Sequence, residues 1–228
     1  MKKIVSPKTE GPFGESLRTG FLFVICLPIV IGITSSVSFS QPVASPDVKC
    51  VSVNSVNGDV TVTWTIPSAG SFISYHVDTS SFATGPFTTY TTIPTYSTTS
   101  CMHIGAGANA KRMYYLVYSE STGPIFSAPK DTFSTIHLIV TNLVNQAKLD
   151  WNVLATPTIP TSTGWYKIYR EYPIGFWTFI DSTTALTYTD VVDICDDSLT
   201  YRIKIDDNTG CTSVSNLDGG RFQDQTSP

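Results

Sequence analysis

"GDVTVTW", residues 58 to 64, sorts its side chains by parity: Val60, Val62 and Trp64 fall on one side, Thr61, Thr63 and the following Thr65 on the other. Successive side chains of an extended chain point to opposite faces, so this stretch is a strand with one apolar and one wet face. That is the signature of an antiparallel sheet packed on one side only. The pattern returns as "NQAKLDW", residues 145 to 151, with a Trp-to-Trp offset of 151 − 64 = 87. Around it, "SYHV" (74–77) is answered by "WYKI" (165–168) and "GPF" (85–87) by "GFW" (175–177). "YYLVYSESTG" (114–123) is answered by "TYRIKIDDNTG" (200–210), with Tyr115 to Tyr201 at 201 − 115 = 86. Several motifs recurring at nearly one offset mark a duplicated unit.

Each unit reads as short strands between turn residues. In the first, strands are expected over 48–56, 59–66, 72–79, 86–93, 97–104, 112–119 and 125–133, with "NG" (57–58), "PSAG" (67–70), "TGP" (84–86) and "STGP" (121–124) as turns. Thr, Ser, Tyr, Val and Ile are plentiful while Glu, Gln and Ala are sparse, which favours strands over long helices. About seven strands in roughly 90 residues suit an immunoglobulin-like or fibronectin type III sandwich. The expected fold is therefore all-β, two tandem sandwiches over residues 46–133 and 134–224. Lys130 to Ser134 enters the second unit with no Gly/Ser linker, which predicts a stiff pair.

Residues 1–40 read as a signal peptide. Lys2, Lys3, Lys8 and Arg18 precede the apolar "FLFVICLPIVIGI" (21–33), and Ser38 and Ser40 offer small residues before a cut at Gln41. Thirteen apolar residues interrupted by Pro28 fall short of the roughly 20 a membrane span needs. Cys26 sits inside the apolar run, not at its end, which disfavours a lipid anchor. A secreted or cell-surface location follows, with no membrane contact after cleavage, and Cys50, Cys101, Cys195 and Cys211 meet an oxidising setting. The formal charge is −4, and without the leader ten basic residues face sixteen acidic ones. That balance, with no basic run, excludes the electrostatic footprint of a nucleic-acid binder.

The run "GWYKIYREYPIGFWTFIDS" with "DICDDSLTYRIKIDDNTGCTSVSNLDGGRFQD" resembles fibronectin type III repeats of large surface proteins that carry a gliding-motility-associated C-terminal domain. "CVSVNSVNGDVTVTW" and "GPFTTYTTI" resemble the preceding repeat of such proteins. The resemblance implies secretion and an adhesive or scaffolding role beside other domains of the same larger protein. Family members continue past the point where this chain ends in "FQDQTSP", so a fragment is expected, and export through the terminal domain is not carried over. The resemblance also carries both Cys195 and Cys211 in one repeat, and so implies a disulfide between them. A straight hairpin argues the other way, since it puts them at opposite ends of one strand, beyond the roughly 7 Å Cα limit. Four cysteines allow three full connectivities, and the spacing selects none.

Candidate chemistry is sparse. Asp196 and Asp197 precede the strand containing Tyr201, Ile203 and Ile205, while Asp206 and Asp207 follow it. Seven extended residues span roughly 23 Å, too far for a glycosidase pair at about 5 to 9.5 Å or one calcium ion with oxygens within about 2.6 Å. "DDNTG" lacks the EF-hand's second Asp or Asn before the glycine, and Leu217 stands at the twelfth position. The aspartates read as turn acids, with a local calcium site at Asp193, Asp196 and Asp197 as the alternative. Tyr201 stands where such sandwiches place a corner tyrosine bonded to the upstream backbone. "GAGANA" (105–110) matches the dinucleotide fingerprint in letters, but a strand and not a helix follows it, so it reads as a loop and no cofactor is expected. Cys101 and His103 supply two of the four ligands a closed zinc site takes. His76 and His137 have no nucleophile motif beside them, so no catalytic and no metal residues are assigned.

One cluster suggests binding. Trp165, Tyr169, Tyr172, Phe176, Trp177 and Phe179 crowd a hairpin of the second unit. Tyr166 and Ile168 are expected to point inward like Tyr75 and Val77, turning Trp165, Lys167 and Tyr169 outward. Exposed aromatics stack on sugars or anchor protein contacts, so Trp165, Tyr169, Tyr172 and Trp177 form the candidate patch; the alternative is an aromatic cover for the sandwich edge. The expected function is a non-catalytic structural and adhesive segment, with extracellular polysaccharide or surface proteins as partners. A carbohydrate-binding accessory module of a secreted hydrolase is the alternative.

Overall fold

Alternation becomes architecture in the computed structural model, which describes residues 41–222 apart from 69, 157, 158, 160 and 195; the leader lies outside the described residues. The first module contains β1 (Asp47–Val53), β2 (Val60–Thr65), β3 (Phe72–Ser80), β4 (Thr88–Ile93), β5 (Ser100–His103), β6 (Tyr114–Ser121), β7 (Ile125–Phe126) and β8 (Thr132–Ser134). The second contains β9 (Ile139–Leu143), β10 (Gln146–Asp150), β11 (Ala155–Thr156), β12 (Ser162–Glu171), β13 (Trp177–Thr183), β14 (Thr187–Val191), β15 (Asp197–Asp207), β16 (Thr212–Val214) and β17 (Asp218–Phe222). Among the described residues there is no helix.

Both modules use one plan. A three-stranded sheet, β1-β2-β5 or β9-β10-β14, faces a larger one, β4-β3-β6-β8 or β13-β12-β15-β16. Every pairing is antiparallel. The chain is thus all-β and forms tandem β-sandwiches. The inward faces carry the residues that parity selected: Val60, Val62, Trp64, Tyr75 and Val77 in the first module, Leu149, Trp151, Tyr166 and Ile168 in the second, all buried. Across each core the tryptophan meets the tyrosine edge-on, Trp64–Tyr75 at 5.6 Å and 62°, Trp151–Tyr166 at 5.7 Å and 60°. Burying such a side chain contributes about 1.5–3 kcal/mol. The repeat extends to the backbone. Gly58 (φ 76°) and Asn145 (φ 56°) lie 145 − 58 = 87 apart, and both take the left-handed conformation that turns the chain into β2 or β10.

One expected strand divides. Residues 125–133 give β7 and β8 with an irregular stretch around Pro129 between them, because proline offers no N–H to a ladder.

The junction is ordered by burial. Ser134, Thr135, Ile136 and Leu138 are all buried, and the buried side chains of both modules form one continuous cluster. Asn216 clamps the passing backbone, accepting from Leu138 N at 2.7 Å and donating to Leu138 O at 3.0 Å. β11 of the second module pairs with β8 of the first.

A covalent link joins the modules as well. Cys211 bonds Cys50, with Cα atoms 6.1 Å apart, and not Cys195, which lies outside the described residues. The expected 195–211 pairing is therefore corrected, and the cause is a bulge in β1. Val48 opposes Trp64 on the inner face, but the register shifts at Lys49, so Cys50 opposes the outward Thr63 while Val51 opposes the inward Val62. The extra residue turns Cys50 away from its own core. It is nonetheless only 2% exposed, because the second module covers it. Beside it, Val51 N donates to Ser213 Oγ at 3.0 Å, satisfying one donor of the β1 edge.

Candidate functional site

The larger sheet of the second module turns its outer face to solvent. In ladder register, Phe179, Tyr169 and Arg202 form one row, Trp177, Glu171 and Thr200 the row on one side, and Ser182, Lys167 and Lys204 the row on the other. The Arg202 guanidinium carbon lies 3.9 Å from the Trp177 ring centroid and 5.5 Å from that of Tyr169. Lys204 Nζ lies 4.9 Å from the Tyr169 ring, whose edge packs against Phe179 at 5.7 Å. Burial lowers the pKa of Arg202 and of Lys204, the latter also through repulsion from Arg202. Lys167 is compensated by Asp206, an ion pair that raises the pKa of the amine and lowers that of the carboxyl. Among the described residues no ion pair reaches Arg202 or Lys204, and Arg202 Nε is buried without a hydrogen bond. Glu171, on the same face, accepts from Gly175 N at 2.8 Å.

The four aromatics of the candidate patch are placed differently. Tyr169 and Trp177 come together, joined through Arg202. Trp165 is 51% exposed with the same parity as Lys167 and Tyr169, and Tyr172 lies at the hairpin turn, where its N donates to Phe176 O at 3.0 Å. Arg202 and Lys204 were legible only as the outward positions between Tyr201, Ile203 and Ile205. Their neighbourhood with the aromatic hairpin is set by the β12–β15 pairing, which no local motif announces.

Other clusters hold the fold. Ser74, His76 and Glu120 meet on the first module, but Ser74 Oγ (3.1 Å) and Glu120 Oε2 (2.9 Å) both approach His76 Nε2. A nucleophilic relay needs them on opposite ring nitrogens. Ser74 is also buried and donates directly to Glu120 at 2.9 Å. His103 meets the Tyr115 hydroxyl at 2.9 Å through Nδ1, and burial lowers its pKa. Cys101, on the same strand, is a free thiol whose pKa burial raises. "GAGANA" forms a loop, with Gly105 N donating to Asp59 Oδ1 at 2.7 Å.

The acids expected as turn residues are corrected in part: Asp197, Asp206 and Asp207 fall inside β15, because the ladder with its neighbours extends beyond residues 199–205. Arg221 donates to Asp196 at 2.7 and 2.6 Å. Burial pulls the Asp207 pKa upward, but bonds from Thr161 and Thr209 outweigh it and hold the carboxyl below its ordinary range. Tyr201 corrects one expectation: its hydroxyl donates not to backbone but to Asp190 Oδ2 at 2.8 Å, an oxygen that also accepts from Arg170 at 2.7 Å. Aspartate at this position of β14 offers a stronger acceptor than a carbonyl.

Similar solved structures contain fibronectin type III domains. The FN1–FN3 domains of chicken CNTN1 align at 13% identity and a TM-score of 0.34, over 79% of this chain and 67% of that one. The central fibronectin-III array of RIM-binding protein aligns at 12% and 0.33, over 83% and 73%. A Fn3-like protein from Clostridium thermocellum aligns at 22% and 0.35, over 41% and 92%. Neither a protein-family model nor a curated protein matches the chain. The fold assignment stands on the strand order and paired cores described above.

Proposed function

We propose that this chain is a non-catalytic spacer and adhesive segment of a secreted or cell-surface protein of the gliding-motility-associated kind. It holds two fibronectin type III-like modules, 46–133 and 134–224, in one fixed relation so that neighbouring domains are displayed at a set distance. The observation that carries the reading is the joint: a disulfide from Cys50 to Cys211 beside a buried, hydrogen-bonded connection. Disulfides persist in oxidising compartments, which supports export. Backbone ¹⁵N relaxation tests the spacer role. One rotational correlation time shared by both modules is expected, and two distinct times would overturn it. The accessory-module alternative draws support from the aromatic outer face of β13-β12-β15, which also suits sugar contact.

A further inference from the structure

The two outer faces can be compared position by position. His76 and Glu120 pair on the first module at 2.9 Å, and Lys167 and Asp206 pair on the second. The offsets, 167 − 76 = 91 and 206 − 120 = 86, are those relating Tyr75 to Tyr166 and Tyr115 to Tyr201. A basic side chain bonded to a carboxylate at equivalent positions is therefore part of the repeat's construction. At the same offsets, Asp78, Leu116 and Tyr118 correspond to Tyr169, Arg202 and Lys204. The first module satisfies its group internally, Tyr118 donating to Asp78 at 3.1 Å. The second puts two cations there, with no carboxylate paired to either among the described residues.

Clamping between Trp177 and Tyr169 fixes the guanidinium in place, which reduces the entropy lost when it engages an anion. Phe179, 51% exposed, packs on Tyr169, and Trp165, equally exposed, lies four residues earlier on the same side of β12, so both present apolar ring surface on this face. β12 and β15 are each paired on both sides, so an extended peptide cannot add to them through backbone hydrogen bonds. What the face offers is ring surface and fixed positive charge, which together match a sugar ring bearing a carboxylate.

We propose that the outer face of β13-β12-β15 binds a uronic-acid polysaccharide, with Arg202 and Lys204 pairing the sugar carboxylates and Phe179 and Trp165 stacking on the rings. Tyr169 and Trp177 are positioning residues that hold Arg202. The inference rests on the adhesive reading and names its partner class. Titration of the exported chain with polygalacturonate, dextran and poly-glutamate tests it. Polygalacturonate should bind at least tenfold more tightly than either control and weaken as salt rises. Arg202→Gln and, on the more accessible cation, Lys204→Glu should each reduce that binding at least tenfold, with thermal midpoints close to the parent's. Unchanged polygalacturonate binding in a folded Lys204→Glu variant would overturn the proposal. So would poly-glutamate binding as tightly, which would make the partner an acidic protein, or dextran binding as tightly, which would remove the role of charge. The relaxation measurement is independent of these titrations, so failure here with a single correlation time removes this surface and leaves the spacer intact.

Discussion

The two modules share a skeleton and differ in what they attach to it. Each places a tryptophan edge-on to a tyrosine across the core, and each buries a second tyrosine in the long strand beside it, Tyr115 or Tyr201. The hydroxyl of that second tyrosine finds different chemistry. Tyr115 meets a neutralisable histidine, His103, whereas Tyr201 meets Asp190, itself held by Arg170. The outer faces diverge too, internally satisfied on the first module and cationic on the second. Interior positions answer to shape, which both copies must keep. Polar partners and outer faces answer to local chemistry, which each copy is free to change.

The comparison can be broken most forcefully at the joint. Replacing both cysteines, Cys50→Ser with Cys211→Ser, opens a link across 161 residues of chain, worth up to about 5 kcal/mol on chain-entropy grounds. Calorimetry should then resolve two unfolding steps, against one expected for the intact chain. A single step in the double variant would mean that the noncovalent junction suffices. Next in size, Trp64→Ala and Trp151→Ala should each cost about 3–5 kcal/mol in denaturant unfolding. Equivalence of the modules requires the two losses to agree within ~1 kcal/mol.

Asp190→Ala should cost about 3 kcal/mol, because it strands Arg170 and the buried Tyr201 hydroxyl together. His103→Gln, which affects a single hydrogen bond on a part-exposed ring, should cost about 1 kcal/mol. Equal losses would erase the proposed contrast between the two tyrosine partners.

Acid should act on the histidines. Burial lowers the pKa of His103 and also that of His137, so the unfolded chain binds more protons than the folded one below the ordinary value of about 6.5. Stability from this source is complete above that pH and falls as pH drops through it. His103→Gln should reduce the slope without abolishing it, since His137 remains; a thermal midpoint followed from pH 7.5 to 5 reads this directly. The smallest effect belongs to Lys167→Met, where a part-exposed ion pair is lost for less than ~1 kcal/mol.

The core was readable because parity needs only neighbours. Val60, Val62 and Trp64 reveal an inward face without reference to any other strand, and the 87-residue echo at Trp151 supplies the second copy. The acids around it were not readable the same way: β15 runs from Asp197 to Asp207, so Asp197, Asp206 and Asp207 lie in the strand and not in the turns expected for them. Nor was the cationic site, since Arg202 and Lys204 sit on β15 and the rings on β12 and β13, and only sheet pairing brings them together. Tyr201 illustrates a middle case, where parity predicts the buried ring but not the Asp190 that receives its hydroxyl.

By itself the amino-acid sequence determined an all-β fold, its duplication and which side chains face inward, because these follow from the two-residue period of an extended chain. Tertiary structure decided the Cys50–Cys211 link, since a one-residue bulge at Lys49 reverses the facing of Cys50 and a residue 161 positions away, just before β16, must then meet it. It likewise decided where the charge on the second module lies, because Arg202 and its flanking rings meet only through the pairing of three strands.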